Sequence, residues 1–121
     1  MMQDSLFLQR LHIVTLENKI AYDEQFHKGV NIIRGQNSSG KSTIIRFIFF
    51  ALGGSYSDFV PEALKCRYVM AEVCINEGTV VTLKRYLDIN AEQRVNSKSP
   101  MYIYYGTLEE SLNDKKKDVW I

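Results

Sequence analysis

Eight consecutive residues, Gly35-Gln36-Asn37-Ser38-Ser39-Gly40-Lys41-Ser42, constrain the fold of this chain more than any other stretch. They satisfy the phosphate-loop pattern G-x-x-x-x-G-K-[ST] at every fixed position. Glycines allow the backbone to wrap tightly, so that successive N–H groups point inward as a nest for an anion. A helix that follows such a loop aims the positive end of its dipole at the same point. Lys41 then supplies a charge for the β- and γ-phosphates of a nucleotide. The Ser42 hydroxyl suits a Mg²⁺ ion, and Thr43 is placed for the α-phosphate side.

The flanks agree with the motif. Val30-Asn31-Ile32-Ile33-Arg34 reads as a buried strand entering the loop. With apolar residues facing both ways, that strand expects neighbours at both edges and cover on both faces. Thr43 to Leu52 is apolar nearly all round, which predicts a helix almost wholly buried from Ser42 to Leu52, ended by Gly53-Gly54. Strand, loop and helix in this order is the arrangement the motif requires.

The rest of the chain reads as strands and turns. Leu6 to Leu16 alternates imperfectly and predicts a first strand with a bulge. Glu17-Asn18-Lys19 is a polar turn, and Ile20 to Phe26 a second strand. Two strands therefore precede the loop, whereas many small kinases and GTPases place it after the first. Ser55 to Lys65 reads as a loop with a short helical turn. Cys66 to Ile75 and Thr79 to Asp88 form a predicted hairpin around Asn76-Glu77-Gly78, with Val69, Ala71, Val73 and Ile75 on one face. Ile89 to Pro100 is polar and reads as a mobile connection. Met101 to Tyr105 is a further strand, broken by Gly106. Thr107-Leu108-Glu109-Glu110 has capping-box spacing and predicts a helix start.

Composition narrows the class. The 121 residues suffice for one domain with a real core. Fifteen basic residues against 14 acidic ones give a net charge of +1, so a nucleic-acid surface would have to be local. Arg67, Lys84 and Arg85 could form one, and Tyr102, Tyr104 and Tyr105 could stack on bases, but exposed strand charges and strand packing are the plainer readings. Lys115 to Lys117 reads as a solvated helix end. Cys66 and Cys74 lack metal-ligand spacing and read as reduced, buried thiols, while His12 and His27 are isolated. The start of the chain has no signal-peptide pattern, and the longest apolar run carries Arg46 and is too short to span a bilayer. The expectation is a cytoplasmic protein without a membrane partner.

Residues 6 to 54 resemble the N-terminal lobe of an ATPase head of the structural-maintenance-of-chromosomes (SMC) type. Its relatives include coiled-coil ATPases of DNA repair, RecN- and RecF-like proteins and antiphage-defence ATPases. The resemblance rests on the strand-turn-strand, on Phe26-His27-Lys28-Gly29-Val30-Asn31-Ile32-Ile33 leading into the loop, and on the loop itself, close to Gly-x-Asn-Gly-Ser-Gly-Lys-Ser. The helix ending Phe50-Ala51-Leu52-Gly53-Gly54 and the later hairpin extend it. It implies an α/β P-loop NTPase of the ABC/SMC type with an antiparallel β region. It further implies ATP and Mg²⁺ as ligands, held by Gly35 to Thr43 with Ser42 on the metal, and ATP-driven pairing with a second head. Double-stranded DNA and nuclease or accessory subunits are the partners it suggests.

The departures are specific. The family's first turn often carries Asn-Phe-Arg-Ser, whose Arg touches nucleotide. Here Glu17 stands at that place and Lys19 is the substitute on which a nucleotide contact would fall. Ser38 replaces the usual Gly, which a negative φ would permit. No apolar strand ends in the Mg²⁺-binding acid and catalytic Glu, and no Leu-Ser-Gly-Gly-type signature occurs, so no catalytic residue is assigned. In the resembled family both lie in a C-terminal lobe beyond a coiled coil. Residues 1–121 are therefore expected to be one lobe of a head, inactive alone and in need of that C-terminal lobe. A GTPase would show Asn-Lys-x-Asp after the loop, a kinase an acceptor carboxylate and an Arg-rich lid, and neither is present. A nucleotide-sensing scaffold that never hydrolyses ATP fits the missing Glu equally well.

Overall fold

A computed structural model of the chain describes residues 6–26, 38–54, 63–76, 78–89, 92 and 99–114, with side chains of the first helix from Thr43 onward. The strand expected at Val30–Arg34, the loop residues Gly35 to Asn37, His27 and Lys115 to Lys117 lie outside these residues.

Among the described residues, five strands form one antiparallel sheet in the order β2-β1-β3-β4-β5. They are β1 (Leu6–Thr15), β2 (Ile20–Gln25), β3 (Cys66–Ile75), β4 (Thr79–Tyr86) and β5 (Met101–Tyr104). The bulge expected in the first strand is there: β1 slips register against β3 between Leu8 and Arg10, and against β2 between Ile13 and Val14. Asn18, at φ 63°, turns β1 into β2, and Asn76, at φ 52°, turns β3 into β4. Asparagine tolerates this left-handed region better than most residues.

Helix α1 (Ser38–Ala51) packs on one face of the sheet. Phe47, Phe50 and Ala51 meet Leu11, Ile13, Val69 and Ala71 in a core that Ala63, Cys66 and Leu87 complete. Val69, Ala71 and Val73 share that face as their alternation predicts, and burial pushes the Cys66 thiol pKa up. Cys66 and Cys74 are both free thiols.

The expectation of a nearly buried helix is corrected. Ile45 and Phe49 are each 55% exposed and Leu52 is 37% exposed. The spacing 45, 49, 52 forms an outer apolar stripe, opposite the stripe that meets the sheet. An all-round apolar sequence predicts burial only where layers exist on both sides of the helix, and the described residues supply one.

Helix α2 (Leu108–Asn113) covers part of the opposite face. Its capping box forms as the spacing predicts: the Glu110 N–H donates to Thr107 Oγ1 at 3.1 Å, and the Thr107 N–H to Glu110 Oε1 at 3.0 Å. The Thr107 N–H, together with the Thr107 hydroxyl, holds the Glu110 carboxyl below the usual range. The Leu108 N–H donates to Glu72 Oε1 on β3 at 2.8 Å, tying the helix start to the sheet.

Candidate nucleotide site at the start of α1

The helix begins at Ser38, four residues earlier than the sequence suggests, so the second half of the loop motif is already its first turn. In an α-helix the first four N–H groups have no acceptor within the helix. Those of Ser38, Ser39 and Gly40 are among them, which gives an anion several aligned donors and a dipole end at one place. Ser38 stands where related loops carry Gly. Its helical backbone satisfies the condition that made the replacement tolerable. The donor set fits a polyphosphate, and Ser42 lies one turn further along the same helix. Thr43 is half-buried and already engaged.

The other end of the helix is closed twice. Gly53, at φ 99°, occupies the left-handed position after the last turn. The Gly54 N–H donates to Phe49 O at 2.9 Å and the Gly53 N–H to Phe50 O at 3.1 Å, the paired bonds of a Schellman motif. Phe49 lies so close over Gly54 that a Cβ there would collide with its ring. Arg85, reaching in from β4, donates from Nη1 to Phe50 O at 2.9 Å and to Gly54 O at 2.8 Å.

Lys19 sits in the β1–β2 turn, its Nζ 3.5 Å from Glu17 Oε2, with both side chains 77% exposed. Thr15, Leu16, Glu17, Lys19 and Lys65 line an open cleft of about 260 Å³. The turn is rigid at its base: the Thr15 N–H donates to Lys19 O at 2.8 Å, and Arg67 donates to Leu16 O at 2.8 Å.

The three cations proposed for a surface patch do not converge. Arg85 faces α1 and is 4% exposed, whereas Lys84 points from the opposite face. The candidate stacking tyrosines separate as well. Tyr104 is buried and donates to Asp114 Oδ2 at 2.9 Å, which raises its pKa, while Tyr105 is exposed. Tyr102 joins Tyr86 edge to face at 6.1 Å, and Tyr86 joins Tyr68 at 5.6 Å. Lys84 Nζ caps the Tyr68 ring at 4.4 Å.

One polar cluster escapes a sequence reading. Arg10 donates to both oxygens of Asp23, at 2.8 and 2.7 Å, and to Glu109 Oε2 on α2 at 2.9 Å. These bonds raise the Arg10 pKa and hold the Asp23 carboxyl below the usual carboxylate range. Buried His12 brings Nδ1 to 3.4 Å from Asp23 Oδ2 without hydrogen-bond geometry. No group of three potential metal ligands occurs among the described residues, and none of their helices is long and apolar enough to cross a membrane.

A complete phosphate-loop motif running into a helix that lies on a β-sheet defines a P-loop NTPase-type chain. The sequence profile of the AAA domain family matches residues 14–119, and the chain belongs to that family. It is 30% identical over 112 residues to the DNA replication and repair protein RecF of Shewanella loihica, covering 87% of this chain and 31% of that protein. It is 29% identical over 87 residues to the DNA double-strand break repair Rad50 ATPase of Methanocaldococcus jannaschii, covering 68% of this chain and 9% of that protein. The Rad50 ATPase of Nanoarchaeum equitans is 38% identical over 68 residues, 55% of this chain and 8% of its own length. The chain thus spans less than a third of these relatives. No solved structure matches it with comparable significance. These likenesses bear out the resemblance to an SMC-type ATPase head.

Proposed function

We propose that this chain is the ATP-binding N-terminal lobe of an SMC-like ATPase head acting in DNA repair or a related DNA transaction. The observation that carries the reading is the start of α1 at Ser38, inside the motif Gly35–Ser42, which turns the motif into a helix N-terminus. Lys41 binds the β- and γ-phosphates, Ser42 ligates Mg²⁺, and the N–H groups of Ser38 to Gly40 hold phosphate oxygens. Gly35, Gln36 and Asn37, the first residues of the motif, contact the nucleotide as well. Lys19, on the wall of the cleft beside Leu16, contacts the nucleotide from the β1–β2 turn. When bound, Mg²⁺ neutralises phosphate charge. This chain's residues bind and orient the nucleotide and supply no base.

The metal-binding acid, the catalytic Glu and the signature motif come from a C-terminal lobe and a second head. The stripe Ile45, Phe49 and Leu52 supports the first partner, since exposed apolar side chains on a short helix are the kind of surface a neighbouring lobe covers. ATP then joins two heads, hydrolysis separates them, and double-stranded DNA and a nuclease subunit are the partners on which that cycle acts.

Calorimetric titration with Mg-ATP tests the reading. Lys41→Ala should weaken binding by about 2–4 kcal/mol through loss of a charge-assisted partner. Equal affinities for wild type and variant would remove the loop as the site. The chain alone should release no phosphate above background.

A further inference from the structure

Arg85 is an unusual residue for its position. It lies on the apolar face of the sheet, opposite Val69 on β3 and Met101 on β5, and is 4% exposed. Its Nη1 holds two carbonyls at the end of α1, those of Phe50 and Gly54. Its Nε donates to Ser99 O at 3.3 Å and Ser99 Oγ at 3.1 Å, just before β5. Its guanidinium carbon stands 4.0 Å from the centre of the Phe50 ring. Burial pulls its pKa down, as expected of a cation taken out of water.

Packing alone does not require this. An apolar side chain of similar volume would fill the space without desolvating a charge. What the guanidinium adds is direction: a planar fork whose donors reach separate acceptors at fixed angles. It also places positive charge where the helix dipole is negative, and the last turn of α1 has no basic residue of its own.

We propose that Arg85 is a positioning residue for the phosphate-binding helix, setting nucleotide affinity from the far end of α1. The inference rests on the nucleotide reading of the helix start given above. At ~1.5 Å per residue the 14-residue helix is a rod about 20 Å long. Pinning its C-terminal carbonyls to β4 and to the Ser99 segment fixes its depth and tilt on the sheet. The N–H groups of Ser38 to Gly40 then stand at one place before a nucleotide arrives, and binding need not order them.

The test compares Mg-ATP affinity in folded protein. Wild type, Lys41→Ala, Arg85→Lys, Arg85→Met and Val73→Ala are titrated calorimetrically, with the folded fraction of each fixed by a urea melt. Val73, 1% exposed on the same sheet face, belongs to a second apolar cluster that includes no residue of α1, and serves as a destabilised control. Both Arg85 variants should bind on the order of tenfold more weakly, a typical coupling between sites. Arg85→Lys should fail despite keeping the charge, because an ammonium lacks the fork. Val73→Ala should bind like wild type. Wild-type affinity in both Arg85 variants, or an equal loss in Val73→Ala, would overturn the inference. If Arg85→Met does not fold, Ser99→Ala, which removes one acceptor of Nε, takes its place: weakened binding supports the role and unchanged binding overturns it. Lys41→Ala separates the two failures, since equal binding by that variant would sink the site itself.

Discussion

The two faces of the sheet are held by different physics. The α1 face is apolar: Leu11, Ile13, Phe50, Val69 and Ala71 are all at or below 2% exposed, and Arg85 is the charged side chain buried among them. The α2 face buries Met70 and Leu108 but adds a polar fabric, in which Arg10 links β1 to Asp23 and Glu109, Glu72 caps α2, and Thr82 Oγ1 donates to Gly106 O at 3.0 Å. Apolar packing on one side gives stability that scales with area. Directed bonds on the other give orientation for little net energy. The helix that begins in the phosphate loop sits on the α1 face, where Arg85 holds its C-terminal end.

Substitutions can break or sharpen that contrast. The largest effect belongs to the apolar face: Phe50→Ala should cost about 3–5 kcal/mol in urea denaturation, while Ile45→Ala on the outer stripe of the same helix should change stability by about 0.5 kcal/mol or less. Similar losses at both positions would show that the outer stripe is covered in solution. On the polar face, Thr107→Ala should cost about 1 kcal/mol, because the Glu110 N–H loses its acceptor. A loss as large as that for Phe50→Ala would erase the distinction between the faces.

The smallest effect is a pH dependence. Asp23 has a lowered pKa in the folded chain, so the stability it contributes is fully present above its unfolded value of about 4 and is lost as pH falls through the folded value. Wild type should therefore exceed Asp23→Asn in stability near neutral pH by about 1 kcal/mol or less. The gap should close below pH ~4 as the carboxylate protonates. A gap that persists in acid would mean that Asp23 acts through shape rather than charge.

Local chemistry made much of this legible. The Gly53-Gly54 stop, the capping box at Thr107, the bulge in β1 and the hairpin turn at Asn76 each depend on residues close in sequence. Misreadings arose where a residue's role depends on a distant layer. Reading Arg85 with Arg67 and Lys84 as strand charges overlooks that residues 81, 83 and 85 share one face of β4, so that parity alone buries it. The cluster of Arg10, Asp23 and Glu109 has no such signal, since 99 residues separate its ends. The phosphate loop was fully legible as a motif, yet its early helical start was not, because Ser38 and Ser39 have middling helix propensity. The burial of α1 was overstated for a converse reason: hydrophobicity reports what a helix can bury, not what is there to cover it.

The sheet order carries a consequence for how the molecule assembles itself. Strand β1 pairs with β2 through a short turn but with β3 only across a long separation in sequence, with Thr15 opposite Cys66. Closing so long a loop has to precede the contacts that repay it, and non-local pairing of this kind slows a folding reaction. Helix α1 gains its docking surface only when β3 and β4 stand beside β1, because Val69, Ala71 and Arg85 come from those later strands. The end of the helix proposed to bind nucleotide is thus aimed last, after the scaffold that aims it has formed. A nucleotide should therefore slow the unfolding of this chain while leaving its folding rate nearly unchanged.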